Sequence, residues 1–159
     1  MNERLEAVVE EWKTYRKLTL DLLEKIPEDK LDFTVGKNMG TIGKQFRHIG
    51  DVQLCYIEAI KTKKIDFSKY RRDYSIEKTK KKLKEFLNEM DKELFSLLEN
   101  LNSEEIEELK IDWGFDKISI FEHLRYLIHH EILHHGELIV YIRTLGMKFP
   151  DSWNEVWGV

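Results

Sequence analysis

Residues 119–146 read SIFEHLRYLIHHEILHHGELIVYIRTLG and contain five of the six histidines of the chain. Ser119 and Glu122 match a capping box, in which the two side chains satisfy the free backbone N–H groups at a helix start. Gly146 matches a C-terminal stop, because glycine readily adopts the left-handed conformation that ends many helices. This stretch therefore predicts a helix from about Ile120 to Leu145, with the best-defined ends in the chain.

Three further segments upstream show the three- and four-residue apolar spacing of amphipathic helices. They span about residues 2–26, 41–63 and 76–101. Pro27 ends the first, and Thr41 and Ser75 are candidate N-caps of the other two. No segment shows a convincing strand pattern. Four long helices predict an all-α four-helix bundle.

The connections between these helices bear on the topology. Residues 64–75 and 102–118 are long for tight hairpins. At least one of them is therefore a candidate crossover, which allows an order other than up-down-up-down. A length of 159 residues suits one domain with a substantial core, so we expect residues 1–159 to form a single domain.

The composition excludes several classes of protein. With 42% apolar and 35% charged residues, disorder is not expected, and a net charge of −4 disfavours nucleic-acid binding. The single cysteine, Cys55, excludes an intrachain disulfide. The charged N-terminus lacks the apolar core of a signal peptide, and no apolar run approaches the roughly 18 residues of a transmembrane helix. We therefore expect a cytoplasmic protein without a membrane partner.

His130 and His134 are the strongest functional signal in the sequence. Residues four apart on a helix project from one face, and neutral imidazole is a common ligand of Zn, Ni, Fe and Cu. At about 100° per residue, Glu137 falls in the same stripe. His129 and His135 point about 100° to either side of it. The sequence thus predicts that His130 and His134 bind one metal ion.

A third ligand is expected from another helix, since catalytic zinc usually keeps three protein ligands and one open position. His48 is the only histidine outside the fourth helix, and it lies in the middle of the second. Two facing helices can place three imidazoles around one ion in a bundle interior. We therefore predict a metal site of His48, His130 and His134, with the remaining positions for water or a small-molecule substrate.

A competing motif overlaps this pair. Residues 130–134 match the His-Glu-x-x-His signature of zinc peptidases, in which Glu131 would be the general base. The longer metzincin pattern fails, because Glu137 and Val140 stand where it needs glycine and histidine. For a glutamate third ligand, Glu155 is the sole reasonable candidate. Such peptidases also bind peptide along a sheet, so the peptidase interpretation is the weaker alternative.

The segment 130–146 resembles the last helix of the DinB-like superfamily of metal-dependent enzymes. Members often show a histidine, three residues, a second histidine, one residue, glycine and then glutamine. The chain has His130, His134 and Gly136 at these positions, with Glu137 in place of the glutamine. The second-helix histidine of that family corresponds to His48. The length and the four predicted helices are similar as well.

This resemblance implies an up-down-down-up bundle, a Zn or Ni ion held by His48, His130 and His134, and often a homodimer. Characterised relatives include transferases and isomerases that use low-molecular-weight thiols such as bacillithiol or mycothiol. A thiol cosubstrate is therefore expected. The departure at Glu137 changes the surroundings of the ligands, which can alter metal choice or ligand basicity.

Two functions are open at this point. In the first, the chain is a metal-dependent thiol transferase or hydrolase, and Glu131, Glu137 or His123 moves a proton. In the second, it is a non-catalytic metal-binding stress-response bundle with a structural ion or none. Cys55 is a candidate fourth ligand or nucleophile, or a small buried apolar residue. Tyr141 is a candidate for a hydrogen bond behind a ligand, or for packing.

Overall fold

The computed structural model of the protein describes residues 3–70 and 73–159. Its helices are α1 (Glu3–Lys25), α2 (Ile42–Thr62), α3 (Lys80–Glu99), α4 (Ser103–Glu108), α5 (Ile120–Thr144) and α6 (Asp151–Trp157). The four long helices α1, α2, α3 and α5 confirm the predicted all-α class. The predicted start of the first helix at Asn2 lies outside the described residues.

The long helices run up-down-down-up, because α2 and α3 are parallel to each other and antiparallel to α1 and α5. The connection between α2 and α3 is therefore a crossover, as the long segment after α2 allows. The contacts that fix these directions are Gly50–Phe86 and Gln53–Asp91 for α2 with α3, His48–His134 and Tyr56–His123 for α2 with α5, Arg4–Phe121 and Thr19–His135 for α1 with α5, and Trp12–Asp91 and Glu24–Lys84 for α1 with α3.

The start of the third long helix differs from the prediction. Residues Ile76–Lys78 form a separate 3-10 turn, and α3 begins at Lys80 after Thr79, whose side chain accepts from the Lys82 N–H. The predicted start at Ile76 is therefore wrong. The carbonyl of Glu77 lies against Gly43, where a Cβ would have no room. This close approach of the 3-10 turn to α2 is a tertiary contact that local propensity does not reveal.

A short hairpin precedes α5. Strands β1 (Lys110–Asp112) and β2 (Lys117–Ser119) pair antiparallel, with buried Ile111 opposite buried Ile118. Gly114 has a φ of 83° in the turn between them, a left-handed conformation that favours glycine. The expectation that the chain has no strand is wrong here, because three residues are too few for an alternating pattern to be recognised.

The core lies between the four long helices and includes Phe46, Tyr141 and Trp153, which are all fully buried. Trp153 of α6 packs into the bundle and donates its indole N–H to the carbonyl of Leu18 at 2.7 Å. Within the described residues, no helix combines the length and apolarity that crossing a bilayer would require.

Candidate metal centre

Three histidines meet between α2 and α5. Among the described residues, His48, His130 and His134 each offer a ring nitrogen within 4.8 Å of the others. The ring centroid of His48 lies 5.3 Å from that of His130 and 4.9 Å from that of His134. The four-residue spacing of His130 and His134 on α5 directs both side chains toward α2. The structure thus brings together the three residues that the sequence predicts as ligands.

The spacing of the α5 histidines suits a shared ion. Their Nε2 atoms are 3.1 Å apart. Two nitrogens that each lie about 2.0–2.1 Å from one tetrahedral zinc ion are about 3.3 Å from each other. Three imidazole donors also suit zinc or nickel better than calcium or magnesium, which prefer oxygen. The residues present therefore fit a divalent transition metal.

Burial keeps the three imidazoles neutral. It lowers the pKa of His48 to about 4, with smaller effects of His134, Arg47 and Lys44, and it lowers the pKa of His130 to about 3. It also lowers the pKa of His134, although the charge of Glu137 opposes that shift. Neutral imidazole is the form that binds a metal ion. No proton has to leave these rings near neutral pH.

A chain of hydrogen bonds orients His134. Its Nδ1 lies 2.9 Å from Gln45 Oε1 and 2.9 Å from Glu137 Oε2. The amide oxygen can only accept, so the proton sits on Nδ1 and the lone pair on Nε2 stays available for an ion. Gln45 Nε2 donates to Tyr141 Oη at 3.3 Å, and Tyr141 donates to the carbonyl of Gly40 at 2.5 Å. Such partners typically fix the orientation of a metal-ligating histidine.

His130 is held differently from His134. Its Nδ1 is buried and has no hydrogen-bond partner among the described residues. The ring is therefore oriented by packing and by its neighbours His48 and His134, whereas His134 also has polar partners behind it. The two candidate ligands on α5 are thus unequal in how firmly the protein positions them.

A cavity of about 280 Å³ opens onto two of the histidines. Its walls are Asn38, Met39, Gly40, Lys44, Gln45, His48, His134 and Glu137. A larger cavity of about 530 Å³ lies at the opposite end of α2, between Ile60, Leu101 and Leu109. None of the three clustered histidines lines it. The smaller cavity therefore lies beside the candidate metal centre, whereas the larger one does not.

Comparison with known proteins identifies the family. The DinB family model matches residues 1–153. The chain belongs to the DinB family. No protein of curated function matches it.

Two crystal structures have similar folds. A DinB-like protein from Bacillus subtilis is 23% identical, with a TM-score of 0.71 over 91% of this chain and 96% of that one. A DinB-like protein from Bacillus cereus is 17% identical, with a TM-score of 0.76 over 91% and 95% of the two chains. At these identities the likeness shows the fold alone. The roles of individual residues in this DinB family member therefore follow from its own contacts and not from these two structures.

Glu131 lies in a buried polar network on the α1 side of α5. Its carboxylate accepts from Arg16 Nη2 at 3.2 Å and from the hydroxyl of Thr19. The Thr19 oxygen also lies 2.7 Å from His135 Nε2. Burial raises the pKa of Glu131, and Arg16 and Thr19 oppose that shift. These contacts direct Glu131 toward α1, so they do not support its role as the general base of a peptidase.

The remaining histidines have other environments. His123 is fully buried, accepts from Trp113 Nε1 at 3.2 Å and lies with its Nε2 3.1 Å from the carbonyl of Tyr56. Both ring nitrogens are thus engaged within the core, which leaves it no free position for proton transfer at the metal centre. His129 is exposed, and His135 contacts Thr19. Neither joins the three-histidine cluster, as their positions on the helix predict.

Cys55 and Tyr141 are two further candidates from the sequence. Cys55 is buried outside the three-histidine cluster, and burial raises its pKa to about 11. A protonated thiol in this position behaves as a small apolar side chain. Tyr141 is fully buried, and its hydroxyl accepts from Gln45, the residue that bonds to His134, so it takes part both in packing and in the chain of hydrogen bonds behind His134.

Among the cavity residues that sequence reasoning missed are Gln45 and Lys44 of α2. They precede His48 by three and four positions, so they share its face of α2, one turn earlier. That spacing was visible in the sequence. Its meaning was not, because the partner of Gln45 is His134 on another helix.

Proposed function

We propose that this DinB family member is a metal-dependent enzyme, a thiol-dependent transferase or a hydrolase that acts on a small molecule. The observation that carries the proposal is the convergence of His48, His130 and His134 beside a cavity. A non-catalytic structural ion is less well supported, because no fourth histidine, cysteine or carboxylate joins this cluster among residues 3–70 and 73–159. Structural zinc is usually enclosed by four protein ligands.

The three ligands would hold a Zn- or Ni-type ion without neutralising its charge. Such an ion supplies Lewis acidity, which lowers the pKa of a thiol or water and stabilises developing negative charge. Gln45 orients His134 through its Nδ1–H, so that the lone pair of Nε2 would be available to such an ion. Glu137 lies in the cavity wall and is half-buried. It is therefore better placed than Glu131 to accept a proton from a bound molecule.

A direct experiment combines metal analysis with an activity screen. The purified protein, loaded with zinc or nickel, is tested for transfer of a small thiol to an electrophile and for hydrolysis of activated esters. We expect activity that is lost on chelation and restored by the metal. His134→Ala should abolish it, whereas His129→Ala should not. Activity of the chelated protein or of His134→Ala that equals the activity of the metal-loaded wild type would contradict the proposal.

We further propose that the chain forms a homodimer through the outer face of α5. Tyr126, Leu133 and Val140 are exposed there and recur every seven residues, so they form one stripe along the helix. Gly136 within that stripe has open space around it. Leu133→Glu should convert the dimer to a monomer in sedimentation velocity, with its metal content unchanged. A monomeric wild-type protein would contradict this assembly.

A further inference from the structure

Lys44 forms part of the cavity wall beside the metal centre. It stands one helical turn before His48 and, like Glu137, lines the cavity of about 280 Å³. This volume is just below the roughly 300–1,000 Å³ of typical ligand sites. The cavity therefore suits a small molecule, whose groups would lie close both to His48 and His134 and to Lys44.

Gly40 provides the surface on which the Lys44 side chain lies. A Cβ added at Gly40 would be 2.9 Å from Lys44 Cδ and 3.3 Å from Lys44 Cγ. The aliphatic stem of Lys44 thus packs against a backbone position without a side chain. The carbonyl of Gly40 is itself fixed by the hydroxyl of Tyr141. The chain of hydrogen bonds that orients His134 therefore also fixes the backbone beneath Lys44.

The charge of Lys44 has no internal partner. Among the described residues, no carboxylate lies within ion-pairing distance of its ammonium group, whereas its neighbour Arg47 pairs with both Asp51 and Glu77. Glu137, the carboxylate of the cavity wall, is engaged with His134. The cavity thus presents an unpaired cation next to the three-histidine cluster.

We propose that Lys44 is a specificity-determining residue that receives an anionic group, such as a carboxylate, of the small molecule bound at the metal centre. The inference rests on the proposed function, because the other end of that molecule would reach the ion held by His48, His130 and His134. A lysine ammonium is a compact cation with three donors, which suits a carboxylate at the edge of an open cavity. The preferred substrate or thiol cosubstrate is therefore an acidic one.

The test uses cobalt-substituted protein and two probe thiols. 3-Mercaptopropionate and 3-mercapto-1-propanol have similar length and differ in whether the end opposite sulfur is a carboxylate or an alcohol. Binding of either thiolate to cobalt gives a sulfur-to-metal absorption band, whose titration yields a Kd. For the wild type we expect about tenfold tighter binding of the anionic probe, which corresponds to about 1.4 kcal/mol.

Three variants locate the effect. Lys44→Gln should bring the ratio of the two Kd values close to one and leave the Kd of the neutral probe unchanged. Gly40→Ala keeps the lysine but displaces its flexible stem, so it should reduce the ratio partly. Lys37→Gln makes the same change of charge at an exposed lysine that does not line the cavity, and should preserve the wild-type ratio.

Each contrary outcome is distinct. An unchanged ratio in Lys44→Gln with cobalt fully bound would overturn the role of Lys44 and leave the metal site intact. An equal loss of preference in Lys37→Gln would also overturn it, because the effect would then be one of overall charge. Failure of the wild type to bind cobalt would overturn both the proposed function and the inference that rests on it.

Discussion

The two sides of α5 carry similar residues and differ in what surrounds them. His130 and His134 face α2, whereas Glu131 and His135, each one residue farther along, face α1. Both pairs have the same four-residue spacing and are buried or half-buried. On a helix, a shift of one residue turns a side chain by about 100°, which is enough to place the two pairs in separate environments.

On the α1 side the polar side chains bond to one another, although Arg16 Nε, Arg16 Nη1 and His135 Nδ1 have no hydrogen-bond partner among the described residues. Arg16 donates to Glu131 and to Gln53, and Thr19 lies between Glu131 and His135. The α2 side instead brings a third imidazole, His48, next to a cavity. Equal spacing of polar residues on a helix therefore does not identify a metal ligand. What distinguishes the two sides is that α2 supplies a further imidazole beside a cavity, whereas α1 supplies Arg16 and Thr19, which bond to the residues of the other side.

The strongest test of this difference is removal of single histidines. His130→Ala and His134→Ala should each lose most of the bound metal, with affinity reduced by more than about 100-fold, because a ligand matters more than the groups behind it. His129→Ala should retain full stoichiometry. Elemental analysis after dialysis against a metal buffer measures the outcome. Equal loss in all three variants would refute the proposed ligand set.

Substitutions on the α1 side should change the stability of the protein and not its metal binding. Arg16→Met leaves Glu131 buried without its cation, which should lower the free energy of unfolding by about 3–5 kcal/mol. Metal stoichiometry of the folded protein should stay unchanged. Lys17→Met, at the adjacent exposed position paired with Asp21, should cost less than about 1 kcal/mol. Urea denaturation compares the two, and similar midpoints would contradict a structural role for the Arg16 network.

A smaller loss of metal affinity is expected when the hydrogen-bond partner of His134 is replaced. Gln45→Leu removes one acceptor of the His134 Nδ1–H, while Glu137 remains. Metal affinity should therefore fall by about 10- to 100-fold, with binding still measurable by competition against a chromogenic chelator. Asn38→Ala, in the same cavity wall, serves as the control and should keep wild-type affinity. If both variants bind equally well, the orientation of His134 does not depend on Gln45.

His123, which is fully buried in the core, should make the stability of the protein depend on pH. Burial lowers its pKa to about 4, below about 6.5 for an exposed histidine. The unfolded chain therefore binds the extra proton first as the pH falls from about 6.5 to 4, and the free energy of unfolding should decrease over that range, by about 2 kcal/mol between pH 7 and 5. Metal-free His123→Gln should show a shallower pH dependence than the metal-free wild type. Parallel curves would refute this contribution.

Much of the architecture could be predicted from the sequence because the helices are long and strongly patterned. Capping residues such as Ser119 and Glu122 marked the start of α5 correctly, and the angular position of His130 and His134 followed from helix geometry. Short elements could not be predicted in the same way. The hairpin around Gly114 and the 3-10 turn before α3 depend on contacts with distant residues, such as that between Glu77 and Gly43.

The sequence by itself determined the four long helices and which histidines share a face of α5, because both follow from local periodicity. Only the tertiary structure decided that His48 joins that face, that Glu131 is bonded to Arg16 instead, and that Lys44 lines the cavity. Each of these depends on which helix lies opposite, and the packing of side chains from distant segments sets that pairing. Local spacing fixes the direction of a side chain, whereas its partner is fixed by the fold.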